Sequence, residues 1–161
     1  MSRAEHILNL ARSAGIMITT AESCTGGMVA AALTDIPGSS DIFDRGFITY
    51  SNAAKAEMLQ VDPGLISAYG AVSSEVAAAM AIGALAASVA KLAVSITGVA
   101  GPGGSANKPE GLVWFGVAQA GKPTQTHRKN FGAIGRVSIR TNARDFALDL
   151  LIEALEGVLN K

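Results

Sequence analysis

A serine between a short β-prone run and a pair of glycines is the first place where this chain could do chemistry. It lies in Thr20-Ala21-Glu22-Ser23-Cys24-Thr25-Gly26-Gly27. A strand ends there, a tight turn follows and a helix begins. Such a turn displays a serine at a sheet edge, beside helix N-terminal N–H groups that can stabilise an oxyanion. Gly26 and Gly27 would let a substrate approach the backbone closely. Ser23 and Thr25 equally suit simple caps of the next helix. The pattern is not GxSxG, so an α/β-hydrolase elbow is not supported. Cys24 is expected to pack.

Two more segments carry reactive types. In Thr49-Tyr50-Ser51-Asn52-Ala53-Ala54-Lys55 a tyrosine stands at a strand end and a lysine in the first turn of a helix. The positive end of the helix dipole lowers such a lysine's pKa slightly, as a general base requires. The plainer alternative is a packed tyrosine and a solvated lysine. Thr97-Gly98-Val99-Ala100-Gly101-Pro102-Gly103-Gly104-Ser105 is a glycine-rich loop after a strand. It approaches the phosphate-loop pattern, but Gly104 stands at the lysine position and no helix follows. A loop suited to cradling an anion or a flat ring remains. Arg136 and Arg140, four apart at the start of the last helix, share a face where an anion is favoured. Their alternative is a solvated face, with Asp145 as a partner.

The elements that must position these groups alternate. Helical spacing covers Arg3 to Ala14, with Gly15 as its stop. A strand over Ile16 to Ala21 leads into the serine turn and a helix over MVAAALTDI. Ile42 to Tyr50 suits a strand, and Asn52 a cap for a helix through Leu59, broken by Pro63-Gly64. Ser73 is placed to cap the alanine-rich helix that follows. Leu92 to Thr97 and Leu112 to Ala118 read as buried strands, Thr124 to Lys129 as an edge strand, and Ala133 to Leu159 as a final amphipathic helix.

Helices interleaved with strands predict an α/β fold, a single three-layer α/β/α domain over residues 1–161. Prolines and glycines leave no room for a crossover helix between LAVSIT and LVWFGVA. Those strands are expected to be antiparallel, or separated, rather than a βαβ pair, and the central sheet mixed.

Composition narrows the function classes. The 161 residues are 49% hydrophobic and 16% charged, with 13 basic and 13 acidic side chains. Zero net charge argues against a nucleic-acid or membrane-surface partner. One cysteine allows no intrachain disulfide, and no histidine or cysteine motif marks a metal site, so neither metal nor cofactor is expected. The Val76 to Ala90 stretch falls short of the roughly 20 residues of a membrane span. No apolar leader is visible, so a cytoplasmic location is expected. The alanine-rich helix could bury a dimer face, and a homo-oligomer is expected.

TAESCTGG, ITYSNAAK, GAVSSEVA, SITGVAGPGG with the following KPEGLVWFGVA, and FGAIGRVSIR occur in this order along the whole chain. Together they resemble the CinA C-terminal-domain family, the nicotinamide mononucleotide deamidases. The resemblance implies an amidohydrolase that converts this small-molecule substrate to nicotinic acid mononucleotide and ammonia with a serine, tyrosine and lysine set. Ser23 would be the nucleophile, with Tyr50 and Lys55 as the proton-transfer pair, and which of the two acts first stays open. The substrate-binding set would be Thr25, Gly26, Thr97, Gly98 and Gly101, with Arg140 on the 5′-phosphate and Arg136 as the second candidate. The alternative class is a non-catalytic nucleotide- or protein-binding module linked to competence or DNA-damage response. Such a module has no need of Ser23, Tyr50 and Lys55 together.

Overall fold

The computed structural model describes residues 1–161. Helix α1 (Arg3–Ala14) opens on a capping box, in which Ser2 and Glu5 satisfy each other's backbone N–H groups. Gly15 ends it in the left-handed conformation, and its N–H reaches back to the last turn. Strand β1 (Ile18–Glu22) follows and is buried at every position. Helix α2 (Met28–Thr34) is short and has no side-chain cap of its own.

Strand β2 (Phe43–Ile48) leads into helix α3 (Asn52–Leu59). The cap of α3 is Ser51, whose hydroxyl accepts from the Ala54 N–H, so the expected cap Asn52 is instead the first helical residue. Pro63-Gly64 does more than break a helix, because it opens another, α4 (Pro63–Tyr69). Asp62 accepts from Gly64 N–H there, and Pro63 stands at the first helical position, where its missing N–H costs nothing. Helix α5 (Ser74–Ala86) carries the expected Ser73 cap.

Strands β3 (Leu92–Gly98), β4 (Leu112–Gln119) and β5 (Gln125–Asn130) and helix α6 (Arg136–Leu159) complete the chain. The sheet order is β2-β1-β3-β4-β5. β2, β1 and β3 run parallel, while β3–β4 and β4–β5 are antiparallel, so the sheet is mixed as the broken loop required.

Alternation along the strands divides the core. Leu92, Val94, Ile96, Val113, Phe115 and Val117 face α1, α2 and α6. Ala21, Ala93 and Ala118 face α3, α4 and α5. Small residues on that second side let α5 come close. Ser95 donates to the Ala77 carbonyl at 2.6 Å, and a Cβ on Gly116 would strike that same carbonyl. No helix is long and apolar enough to cross a membrane.

The chain leaves β1 toward β2 and leaves β3 toward β4, in opposite directions along the sheet. A crevice therefore opens between the carboxyl ends of β1 and β3, where ligands bind in open α/β sheets.

Candidate active site

Ser23 follows the last residue of β1, at that crevice. Its N–H donates to the Ile96 carbonyl of β3 at 2.9 Å, which fixes the turn against the neighbouring strand. Its Oγ accepts from Lys55 Nζ at 3.0 Å. Lys55 Nζ also donates to the Thr49 carbonyl at 2.9 Å. Thr49 is itself tied to β1, because its N–H donates to the Glu22 carbonyl at 2.8 Å. The Ser51 cap sets the start of α3 and so aims Lys55 back under the serine.

Lys55 is only 2% exposed and is among the largest fully buried side chains of the molecule. The ion pairs of the chain all lie elsewhere, so no carboxylate faces its nitrogen. Burial lowers its pKa below the ordinary 10.5. The cause is loss of water more than the helix dipole expected from sequence. A lysine of this kind is a competent proton acceptor for the hydroxyl it touches.

Cys24, next to the serine, is a different case. Burial pushes its thiol up to about 11, so it stays protonated at neutral pH. The thiolate is the reactive form of cysteine, and Cys24 does not supply it.

A cleft of about 310 Å³ lies over the pair, lined by Ser23, Tyr50, Asn52, Lys55, Val72, Thr97, the Gly98–Ser105 run and Arg136 among others. Thr97 is buried, and its hydroxyl donates to the Ala71 carbonyl at 2.7 Å, joining β3 to the α4–α5 loop. The glycine-rich loop forms one wall. Gly101 has a positive φ of 82°, and Glu110 fills the space where a Cβ would stand. The base of the loop is held at Val99, whose N–H donates to the Leu112 carbonyl and whose carbonyl accepts from the Gly111 N–H, each at 2.8 Å.

Tyr50 stands on the opposite wall and is 61% exposed. Its hydroxyl accepts from Arg136 Nη2 at 2.8 Å and has no bond to Ser23 or Lys55. Arg136 Nη1 donates to the Gly101 carbonyl at 2.6 Å. The guanidinium thus spans the mouth of the cleft. Behind it, α6 begins at Gly135 with no side-chain cap and no acid in its first turn, leaving an unbalanced positive end.

Thr25, Gly26 and Arg140 lie outside the cleft lining. They gather behind the Ser23 turn, where Arg140 donates to the carbonyls of Cys24 at 3.0 Å and Thr25 at 3.4 Å. Thr25 is fully buried, with a hydroxyl that has no partner. The structure therefore brings Ser23, Lys55, Tyr50, Thr97, Gly98, Gly101 and Arg136 to one cavity, and sets Thr25, Gly26 and Arg140 beneath it.

Glu22 escaped the sequence reading. Its buried carboxylate accepts from the N–H groups of Val29 and Ala30, at 2.9 and 3.1 Å. It caps α2 from the preceding strand and takes two of the helix N-terminal donors. The signal lay in the sequence, as an acid at the end of a strand whose following helix has only Gly27 before it. No three His, Cys, Asp or Glu side chains cluster as a metal site would need.

The family profile of the CinA C-terminal domain matches residues 1–155. A nicotinamide-nucleotide amidohydrolase PncC of Enterobacter agglomerans is 51% identical over 138 residues, covering 85% of this chain and 84% of that protein. The protein of the same name from Escherichia coli is 49% identical over 152 residues, covering 94% and 92%. Among solved structures, the competence/damage-inducible protein CihA of Agrobacterium tumefaciens superposes with a TM-score of 0.91 at 47% identity, covering 96% of this chain and 93% of that one.

Proposed function

The chain belongs to the CinA C-terminal domain family, and we propose that its chemistry runs through the buried Ser23–Lys55 pair. It is an amidohydrolase that cleaves the carboxamide of nicotinamide mononucleotide, giving nicotinic acid mononucleotide and ammonia. The observation that carries the mechanism is a lysine with no counter-ion, 2% exposed, 3.0 Å from a serine hydroxyl. Burying such a group is costly, and a module that only binds has no use for it.

Lys55, as the free amine, takes the proton of Ser23 Oγ. The oxygen attacks the amide carbon, and the carbonyl π pair moves onto oxygen. Lys55 then hands its proton to the amide nitrogen, the C–N bond breaks, and ammonia leaves an acyl-serine ester. Water repeats the sequence: Lys55 takes its proton, the hydroxide attacks the ester, and Ser23 recovers its proton as the acid departs. Tyr50 is the second proton carrier of the set, at the cleft mouth. Because Glu22 occupies the Val29 and Ala30 N–H groups, the oxyanion falls to the N–H groups near Cys24 to Gly27 or Gly98.

The 5′-phosphate goes to Arg136 and the uncapped start of α6, where a guanidinium and free helix N–H groups converge. Arg140, spent on the Cys24 and Thr25 carbonyls, supports the turn. Thr97, Gly98 and Gly101 wall the space left for the pyridine ring.

The test is ammonia release from nicotinamide mononucleotide by purified protein, with no metal added and Ser23→Ala beside it. Release by the wild type and none by the variant is expected. Equal release from both would remove Ser23 as nucleophile, and none from either would withdraw the substrate.

A further inference from the structure

We propose that Arg136 is a latch on Tyr50, and that the substrate's phosphate opens it. The phosphate would then activate catalysis as well as anchor the molecule. The inference rests on the reading of the cleft given above. Three observations carry it. Arg136 bridges two walls that lie far apart in sequence, with Nη1 on the Gly101 carbonyl and Nη2 on the Tyr50 hydroxyl. That bond is the only one Tyr50 makes through its hydroxyl, and the Ser23–Lys55 pair stands apart from it. Tyr50 is 61% exposed and lies between β2 and α3, outside both, so its side chain has room to turn.

A guanidinium carries donors only, so Tyr50 is the acceptor in this contact. The hydroxyl oxygen is engaged by the guanidinium, and the ring is held toward α6. A phosphate offers the same guanidinium two parallel charge-assisted bonds, which are stronger than bonds to a neutral phenol and a peptide carbonyl. Arriving at the start of α6, the phosphate draws Arg136 away from both walls. Tyr50 is released toward Ser23 and Lys55, which line the same cleft. A pyridine nucleoside without the phosphate leaves the latch closed. It then loses turnover as well as affinity, because only the small released fraction of enzyme is competent.

The test uses nicotinamide riboside as substrate and phosphite dianion as the separate phosphate mimic. In the wild type, phosphite is expected to raise kcat for the riboside by about tenfold, the hold of one charge-assisted hydrogen bond on a population. Arg136→Ala is expected to raise KM for the mononucleotide. It is also expected to turn over the riboside about fivefold faster than the wild type without phosphite, since no latch remains. A residue that only grips phosphate predicts unchanged riboside turnover. Riboside kcat indifferent to phosphite, or no gain in Arg136→Ala, overturns the latch. Mononucleotide turnover by the wild type in the same assay keeps the two readings apart: its loss would remove the proposed function, and its presence with a flat phosphite response would remove the latch alone.

Discussion

At the scale of single residues, Lys55 is a destabilising buried group set against the hydroxyl of Ser23, the proposed nucleophile. Its folded-state pKa is depressed by burial below 10.5, so between those two values the unfolded chain binds more protons than the folded one. Stability therefore rises with pH through that window, and the contribution of Lys55 is lost as pH falls through its folded pKa. Lys55→Met, which keeps the volume and removes the charge, is expected to be more stable than the wild type at neutral pH. The gain should shrink as pH approaches 10.5, and ammonia release should be lost throughout. Chemical denaturation across that range checks the sign, and a variant less stable at neutral pH would show that the ammonium is well accommodated. The wild-type kcat/KM should rise through an acid limb lying below 10.5. Sequence located this lysine by its run, yet its burial depends on Thr49 and Ser23 arriving from other elements. The two arginines show the same limit. Four residues along a helix are separated by about 6 Å, enough to put Arg136 in the cleft and Arg140 behind the turn. Spacing alone showed only that they share a face.

At the scale of elements, the joint between β1 and α2 depends on Glu22. α2 is seven residues long and lacks a side-chain cap, and the Glu22 carboxylate supplies its two acceptors from the strand. Glu22→Gln leaves one acceptor and sets an amide NH₂ against a backbone N–H. That change is expected to cost about 1–3 kcal/mol of stability. Because Ser23 is the next residue, kcat should fall while KM stays near the wild-type value. Thermal melts and steady-state kinetics on one preparation check both halves; an unchanged melting temperature would mean the carboxylate is not needed as a cap. Most elements were legible in the sequence because their stops are local: Gly15, the Ser73 cap and the prolines of the long loop. α4 was not, because Pro63-Gly64 reads as a breaker until Asp62 is seen to cap and the proline is counted as a first helical residue. Asn52 yielded to Ser51 for a related reason, since both are good caps and adjacent positions differ by one residue of register.

At the scale of the whole molecule, the cleft exists only because the sheet changes direction between β1 and β3. Interleaved helices and strands gave the layered architecture away, and the glycine–proline loop forced β3 and β4 antiparallel. What no local pattern carries is that the end of β1, the start of α3, the β3–β4 loop and the first turn of α6 meet at one place. Segments this scattered should be tied together by a ligand that touches them all. Ser23→Ala removes the proposed nucleophile and leaves the cleft walls intact, so the variant is expected to hold nicotinamide mononucleotide without consuming it. At a hundredfold excess over Kd, binding to the folded state alone adds about 2.7 kcal/mol. For a chain of this length that corresponds to a rise in Tm of roughly 5–10 °C. Adding Arg136→Ala to the same variant should remove most of the rise, because the phosphate then has only the helix N-terminus. A Tm indifferent to the nucleotide in Ser23→Ala would mean that the cleft is not where the nucleotide binds, whatever activity the wild type shows.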